Sequence, residues 1–245
     1  MVAGLTGAIL AAGRGERLRA SIGGIPKPLA IIDGETLLAR QVRRMLEVGA
    51  SRVIAIINSE TAAVMRQREV KAPPELELLV RDTPNSLESL LALGERITSD
   101  RFLLATVDAV VDKREFDRFV PRAMELTEPS GVYKLDGTLA VVRWRGDRHP
   151  LFVELAPDGL IRRLGDGQSA LVTAGLYTFS TRIFDYAVAA RMAKLDAMRR
   201  YLSMLVEDGM RLAGIELRQA IDVDEGTDLE AARMMLGRSG TNQTG

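Results

Sequence analysis

Apolar residues in this 245-residue chain come as short continuous runs separated by stretches of helical spacing, and that alternation predicts the architecture. Runs at 8–12, 53–57, 76–80 and 102–107 suit strands buried on both faces. A shorter strand is expected at 30–32. Residues 36–48 carry Leu38, Val42 and Leu46 on one helical face and stop at Gly49, 60–69 predict a second helix, and Pro73-Pro74 break the chain before the next strand. Leu87, Leu90, Leu91 and Ile97 mark a further helix, which Asn85 or Ser86 would cap. This βαβα order predicts a mostly parallel sheet with helices on its faces and a ligand crevice at the carboxyl ends of the strands.

From residue 132 the texture changes to hairpins. Asp136-Gly137 and Asp158-Gly159 each join strand-like runs and carry the residue pair favoured in type I′ turns. Residues 171–179 read as a strand. A long helix is expected over 182–207, with Met192, Leu195, Met198, Leu202 and Leu205 as a stripe that suits either the core or a homo-oligomer contact. A last helix covers 228–236. The chain is thus read as one domain over 1–237, with halves 1–125 and 126–237 and a flexible polar tail at 238–245.

Composition narrows the chemistry. Lys plus Arg equals Asp plus Glu at 33 each, so no global field favours nucleic acid or an anionic membrane. The absence of cysteine excludes disulfides, thiolate metal sites and a cysteine nucleophile. The first apolar run ends at Arg14 with no basic segment before it, so neither a signal peptide nor a membrane span is expected, and a cytoplasmic protein is. His149 and Trp144, the single histidine and tryptophan, have no metal-ligand or triad partners in the sequence and are read as structural.

The candidate chemistry starts at the end of the first strand. Leu10-Ala11-Ala12-Gly13-Arg14-Gly15-Glu16-Arg17-Leu18 is a turn of small residues that lets backbone N–H groups approach a ligand, and Arg14, Arg17 and Lys27 add three cations. Adjacent phosphates are the ligand such a set suits. No Gly-Lys-Ser/Thr occurs, which excludes a P-loop. Gly13-x-Gly15 with Asp33 downstream approaches a dinucleotide fingerprint, but Leu18 occupies its third small position and Gly23-Gly24-Ile25-Pro26-Lys27-Pro28 interrupts the helix it requires. Asp108 ends the 102–107 run, where a carboxylate faces the crevice and can hold Mg²⁺; Asp112 reads as a helix cap. Asp222 and Asp224 alternate on one face of an extended segment before the last helix, which either could cap.

The loop together with Pro26-Lys27-Pro28-Leu29 resembles the opening signature of the nucleotidylyltransferases that make activated sugars and alcohols, and the likeness runs in outline to about Leu236. It implies a Rossmann-like three-layer α/β/α fold, glycosyltransferase-A-like, with a mostly parallel mixed sheet and a small antiparallel hairpin part. The first half would bind the nucleoside triphosphate and the second a small phosphorylated acceptor. Nucleotide contacts would fall on Leu10, Ala11, Ala12, Gly13, Arg14, Gly15, Arg17 and Lys27, with Asn85 and Ser86 reading the base. Asp108 and Asp224 would hold Mg²⁺, and Gly175 would leave room for the acceptor. Arg17, Lys27 and Asp108 are the implied catalytic residues.

Departures from the family pattern are informative. Glu16 stands where many members have Thr or Ser, Asn85-Ser86 replaces a Gly-Thr pair, and Val107 replaces a glycine before the acid. Ile161-Arg162-Arg163-Leu164-Gly165 occupies the place of a Glu-Lys-Pro segment found in sugar-1-phosphate members, which moves phosphorylated polyols and choline ahead of hexose phosphates as acceptors. The implied activity is transfer of a nucleoside monophosphate to a phosphate ester with release of pyrophosphate. Molybdopterin- or phospholactate-type guanylyl transfer and a non-catalytic nucleotide-binding regulatory domain stand as alternatives.

Overall fold

The computed structural model describes residues 4–128, 131, 133–146 and 150–241. Its first half runs β1 (Thr6–Ala11), α1 (Glu16–Ser21), a 3-10 turn (Lys27–Leu29), β2 (Ile31–Ile32), β3 (Glu35–Thr36), α2 (Leu37–Glu47), β4 (Arg52–Ile57), α3 (Ser59–Gln67), β5 (Leu76–Val80), α4 (Ser86–Gly94), β6 (Arg101–Thr106), β7 (Ala109–Val111) and α5 (Lys113–Leu126). The second half adds β8 (Gly137–Arg143), β9 (Phe152–Leu155), β10 (Ile161–Gly165), β11 (Leu171–Ser180), a 3-10 turn (Thr181–Tyr186), α6 (Ala187–Met192), α7 (Met198–Glu207), β12 (Leu212–Glu216), β13 (Ala220–Asp222) and α8 (Gly226–Thr241).

One mixed sheet organises both halves, in the order β10-β9-β11-β6-β1-β4-β5, with β8 on the other edge of β11 and β12 beyond it. β6, β1, β4 and β5 are parallel, in the register Thr6↔Phe102, Thr6↔Arg52 and Val53↔Leu76. β11 lies antiparallel to β6 and to β8, and β12 is parallel to β8. Alternate residues feed two cores. Ile9, Ala55 and Leu103 face Val42 and Met45 of α2 and Phe116 and Phe119 of α5. Ala8, Ile56 and Leu104 face Leu87 and Leu90 of α4 and Leu202 and Leu205 of α7. Each such large side chain, once buried, contributes about 1.5–3 kcal/mol. This is the expected three-layer arrangement, and among the described residues no helix is long and apolar enough to cross a membrane.

Local chemistry starts the helices where the sequence places them. Thr36, Asn58, Asn85 and Asp112 each accept the backbone N–H three residues on, from Ala39, Thr61, Glu88 and Glu115 at 2.8–3.1 Å. Each such cap stabilises by about 1 kcal/mol.

Four expectations are corrected. Asp136-Gly137 is no hairpin turn: Gly137 opens β8, and the Asp136 carboxylate accepts from Arg182 Nη1 at 2.7 Å and from the Arg211 amide at 3.0 Å, tying remote segments together. Asp158-Gly159 does lie between β9 and β10, but only Gly159 has positive φ, whereas a type I′ turn needs two such residues. The expected helix over 182–207 is broken. Lys194 adopts φ +54°, and the Leu195 amide donates to Ala190 O, a Schellman-type stop made without glycine. Met192 is therefore 80% exposed while Met198, Leu202 and Leu205 are buried. The last helix also runs past its expected end at 236, since α8 continues through Gly237 to Thr241; a glycine inside a helix costs only about 1 kcal/mol relative to alanine.

Candidate active site

The site forms at the carboxyl edge of β1 and β6. Past β1 the chain turns at Gly13, whose absent side chain would meet nothing within 4 Å, and Ala12 O accepts from Asn58 Nδ2 at 3.1 Å, which fixes the loop to the end of β4. α1 lasts six residues before Gly23 and Gly24, both at positive φ, return the chain. Pro26 then leads into the 3-10 turn that begins with Lys27. Gly15 is required here for two reasons. Its φ is +56°, and a Cβ would lie 2.6 Å from Lys27 Cβ, so the lysine stem crosses where a side chain would stand.

That stem delivers the Lys27 ammonium between two carboxylates, 2.5 Å from Asp108 Oδ2 and 2.7 Å from Asp224 Oδ1. Arg17 donates to Asp224 Oδ2 at 2.9 Å and lies 3.4 Å from Glu225 Oε1. Asp222 completes the cluster, with one oxygen each of Asp108, Asp222 and Asp224 within 4.8 Å of one another.

Pairing in a second, two-stranded ribbon brings these acids together. β13 runs antiparallel to β7 with Asp222 opposite Ala109, and the Val223 amide donates to Asp108 O at 3.0 Å. Val223 is buried, so the acids on either side of it face the crevice. The capping work at α8 falls to Asp228, whose carboxylate accepts from the amides of Asp224 and Glu225 at 3.0 and 2.7 Å. Asp224 is thereby left to Lys27 and Arg17.

Electrostatics follow from this crowding. Burial on its own would lower the Lys27 ammonium, but the Asp108 carboxylate and then Asp224 hold it well above the ordinary lysine value. Burial opposes ionisation of Asp108, and the adjacent Lys27 outweighs it, keeping that carboxyl below the usual range. Asp222 goes the other way. Though one flank is open to solvent, enclosure of its carboxyl end and then the Asp108 charge push it above the ordinary carboxylate value.

Other sequence candidates are placed differently. Arg14 is at the surface, 83% exposed and 3.8 Å from Glu16. Asn85 caps α4, and Ser86 Oγ accepts from the first amide of α7, Met198, at 2.9 Å. Gly175 does not leave room for a ligand where its side chain would be: at φ +69°, a Cβ would lie 2.5 Å from Thr106 Oγ1 and 2.6 Å from Ala109 Cβ, so the gap is filled by the turn that carries Asp108. Trp144 packs edge-on against Phe152, and His149 lies outside the described residues. Asp222 emerges beside Asp224 as a third acid of the cluster, and Gln41, which the helical pattern passed over, reaches the same turn. Its signal was a polar residue inside the apolar stripe of Leu38, Val42 and Met45.

A family model described as the MobA-like NTP transferase domain matches residues 7–182. The chain belongs to the MobA-like NTP transferases. Two curated relatives of this MobA-like NTP transferase each share 27% identity with it. One is the CMP-5'-(3-aminopropyl)phosphonate synthase of Streptomyces rubellomurinus, over 86% of the chain and 34% of that protein. The other is the bifunctional IPC transferase and DIPP synthase of Rubrobacter xylanophilus, over 99% of the chain and 54% of that protein. The chain thus spans between a third and about half of the length of these relatives. Among solved structures, the inositol-1-phosphate CTP transferase of T. maritima superposes with a TM-score of 0.77 at 16% identity, covering 99% of this chain and 98% of that one.

Proposed function

We propose that this MobA-like NTP transferase moves a nucleoside monophosphate from a triphosphate to a small phosphate monoester or phosphonate, releasing pyrophosphate, with CTP as donor. The observation that carries the reading is the meeting of Lys27, from the loop after β1, with Asp108, Asp222 and Asp224 in one crevice. An acceptor oxygen forms the new bond to the α-phosphorus as the bond to the pyrophosphate bridging oxygen breaks. No general base is required, because a phosphate monoester has its second pKa near about 6 and is largely dianionic at neutral pH. Backbone amides of the loop over residues 10–15 face the triphosphate, and Lys27 and Arg17 offset the charge that gathers on the leaving pyrophosphate.

Three carboxylates with no histidine or cysteine among them are an oxygen donor set for a hard divalent cation, and their spacing within 4.8 Å fits one ion. Asp108, Asp222 and Asp224 would hold Mg²⁺, which supplies Lewis-acid charge to phosphate oxygens when bound. Cytidine as the base is supported by the names of two similar proteins, a CMP-phosphonate synthase and a CTP transferase. The acceptor class is supported by the same names and by Ile161-Arg162-Arg163-Leu164-Gly165 standing in place of the sugar-phosphate segment.

The test is pyrophosphate release with each of the four triphosphates, Mg²⁺ and a panel of inositol, choline, hexose and aminoalkyl phosphates or phosphonates. Turnover with CTP and an acyclic or polyol ester is expected; release with GTP and a pterin phosphate alone would overturn the reading.

A further inference from the structure

Asp108 sits in a tight turn between β6 and β7, and that turn is held from several directions. Val107 N donates to Leu10 O of β1, Val223 N donates to Asp108 O, and Gly175 of β11 admits Thr106 and Ala109. A further hold is a side chain. Gln41 is 5% exposed in the middle of α2, and its Nε2 lies 2.6 Å from Ala109 O and 3.1 Å from Thr106 O. A primary amide nitrogen has two hydrogens, and here each has a carbonyl acceptor. The two carbonyls bracket Val107 and Asp108.

We propose that Gln41 is a positioning residue for the candidate metal centre, setting where the Asp108 carboxylate stands relative to Asp222 and Asp224. The inference rests on the reading of these acids as cation ligands. Its logic is geometric. A polar residue in an otherwise apolar stripe must be satisfied inside the protein, and among the described residues its amide nitrogen donates to the turn that presents Asp108. Without it, two carbonyls lose this donor and the turn can shift, whereas Lys27 keeps its pairing with Asp224, Arg17 keeps Asp224 and Glu225, and the loop over residues 10–15 keeps its tie to Asn58. Metal affinity should therefore suffer while triphosphate affinity in the absence of metal is spared. Residues that orient ligands in this way typically change metal affinity by about 10–100-fold when replaced.

The experiment measures Mn²⁺ binding by electron paramagnetic resonance, and CTP binding in EDTA by calorimetry, for the wild type, Gln41→Leu, Gln41→Glu, Asp108→Ala and Leu38→Ala. Leu38→Ala removes a buried side chain from the same helix and controls for a general loss of stability. The expected result is an Mn²⁺ dissociation constant raised about 10–100-fold in Gln41→Leu and Gln41→Glu, CTP binding in EDTA within twofold of wild type, and Mn²⁺ binding unchanged in Leu38→Ala. Should Gln41→Leu not fold, Gln41→Glu keeps the volume, lacks the two donors and carries the comparison. Wild-type Mn²⁺ affinity in a folded Gln41 variant, or an equal loss in Leu38→Ala, overturns the proposal while leaving the metal site standing if Asp108→Ala abolishes binding. Mn²⁺ binding that is unaffected by Asp108→Ala overturns both.

Discussion

Replacing Lys27 by Met keeps the hydrocarbon stem that lies across Gly15 and deletes the ammonium between Asp108 and Asp224. What remains is a group of three carboxylates without that cation. Removing one partner of a buried ion pair costs about 3–5 kcal/mol. Lys27 is 8% and Asp108 21% exposed, whereas Asp224 is 39% exposed and partly screened, so the lower end applies. For a chain of this size each kcal/mol moves the melting temperature by about 2–4 °C, and a loss of about 3 kcal/mol becomes about 6–12 °C. Mg²⁺ should return much of it, because a cation at about 100 times its dissociation constant stabilises by about 2.7 kcal/mol. In the wild type the ion must compete with the lysine for the same oxygens, so its stabilising effect is smaller. Thermal unfolding followed by circular dichroism, in EDTA and across a Mg²⁺ series, measures both quantities. A loss under about 1 kcal/mol in EDTA would refute the buried-pair argument. Equal Mg²⁺ shifts in the two proteins would refute the idea that lysine and ion share ligands.

Three other outcomes follow from the same geometry. Asp108→Ala and Asp224→Ala should each remove most Mg²⁺-dependent pyrophosphate release, and their losses should be strongly non-additive because the second change strikes an already broken site; additive losses in the double variant would separate the two acids. Arg17, 44% exposed and paired with Asp224, should on replacement by Ala raise the KM for the triphosphate about tenfold, or about 1.4 kcal/mol, with the melting temperature nearly unchanged; a normal KM would remove it from the triphosphate contacts. Gly175→Ala forces a side chain at positive φ into Thr106 and Ala109 and should destabilise by about 1–3 kcal/mol in urea unfolding, whereas an unchanged midpoint would show that β11 and the Asp108 turn can move apart.

The parallel core was legible because its signals are local. Continuous apolar runs gave β1, β4, β5 and β6, and the caps at Thr36, Asn58, Asn85 and Asp112 act within four residues. Lys27 and Asp108 were found by their places after a small-residue turn and at a strand end. The errors have a common cause in contacts remote along the chain. Asp136 reads as a turn residue until Arg182 and Arg211 arrive, and Gln41 reads as an ordinary helix position until carbonyls 65 and 68 residues away need donors. The break at Lys194 had no glycine to announce it.

The ribbon of β7 and β13 has a consequence for how the protein is made. Lys27 and Asp224 meet across 197 residues, and the strand that carries Asp222 leaves the ribosome after β1, β4, β5 and β6. A nascent chain can complete β1, β4, β5 and β6 and seat Lys27 against Asp108 long before the other two acids exist. Until β13 docks, the pocket holds Asp108 alone and lacks the other two acids of the cluster. The three-acid cluster is therefore withheld from chains stalled or clipped before residue 220, however well their first half has folded.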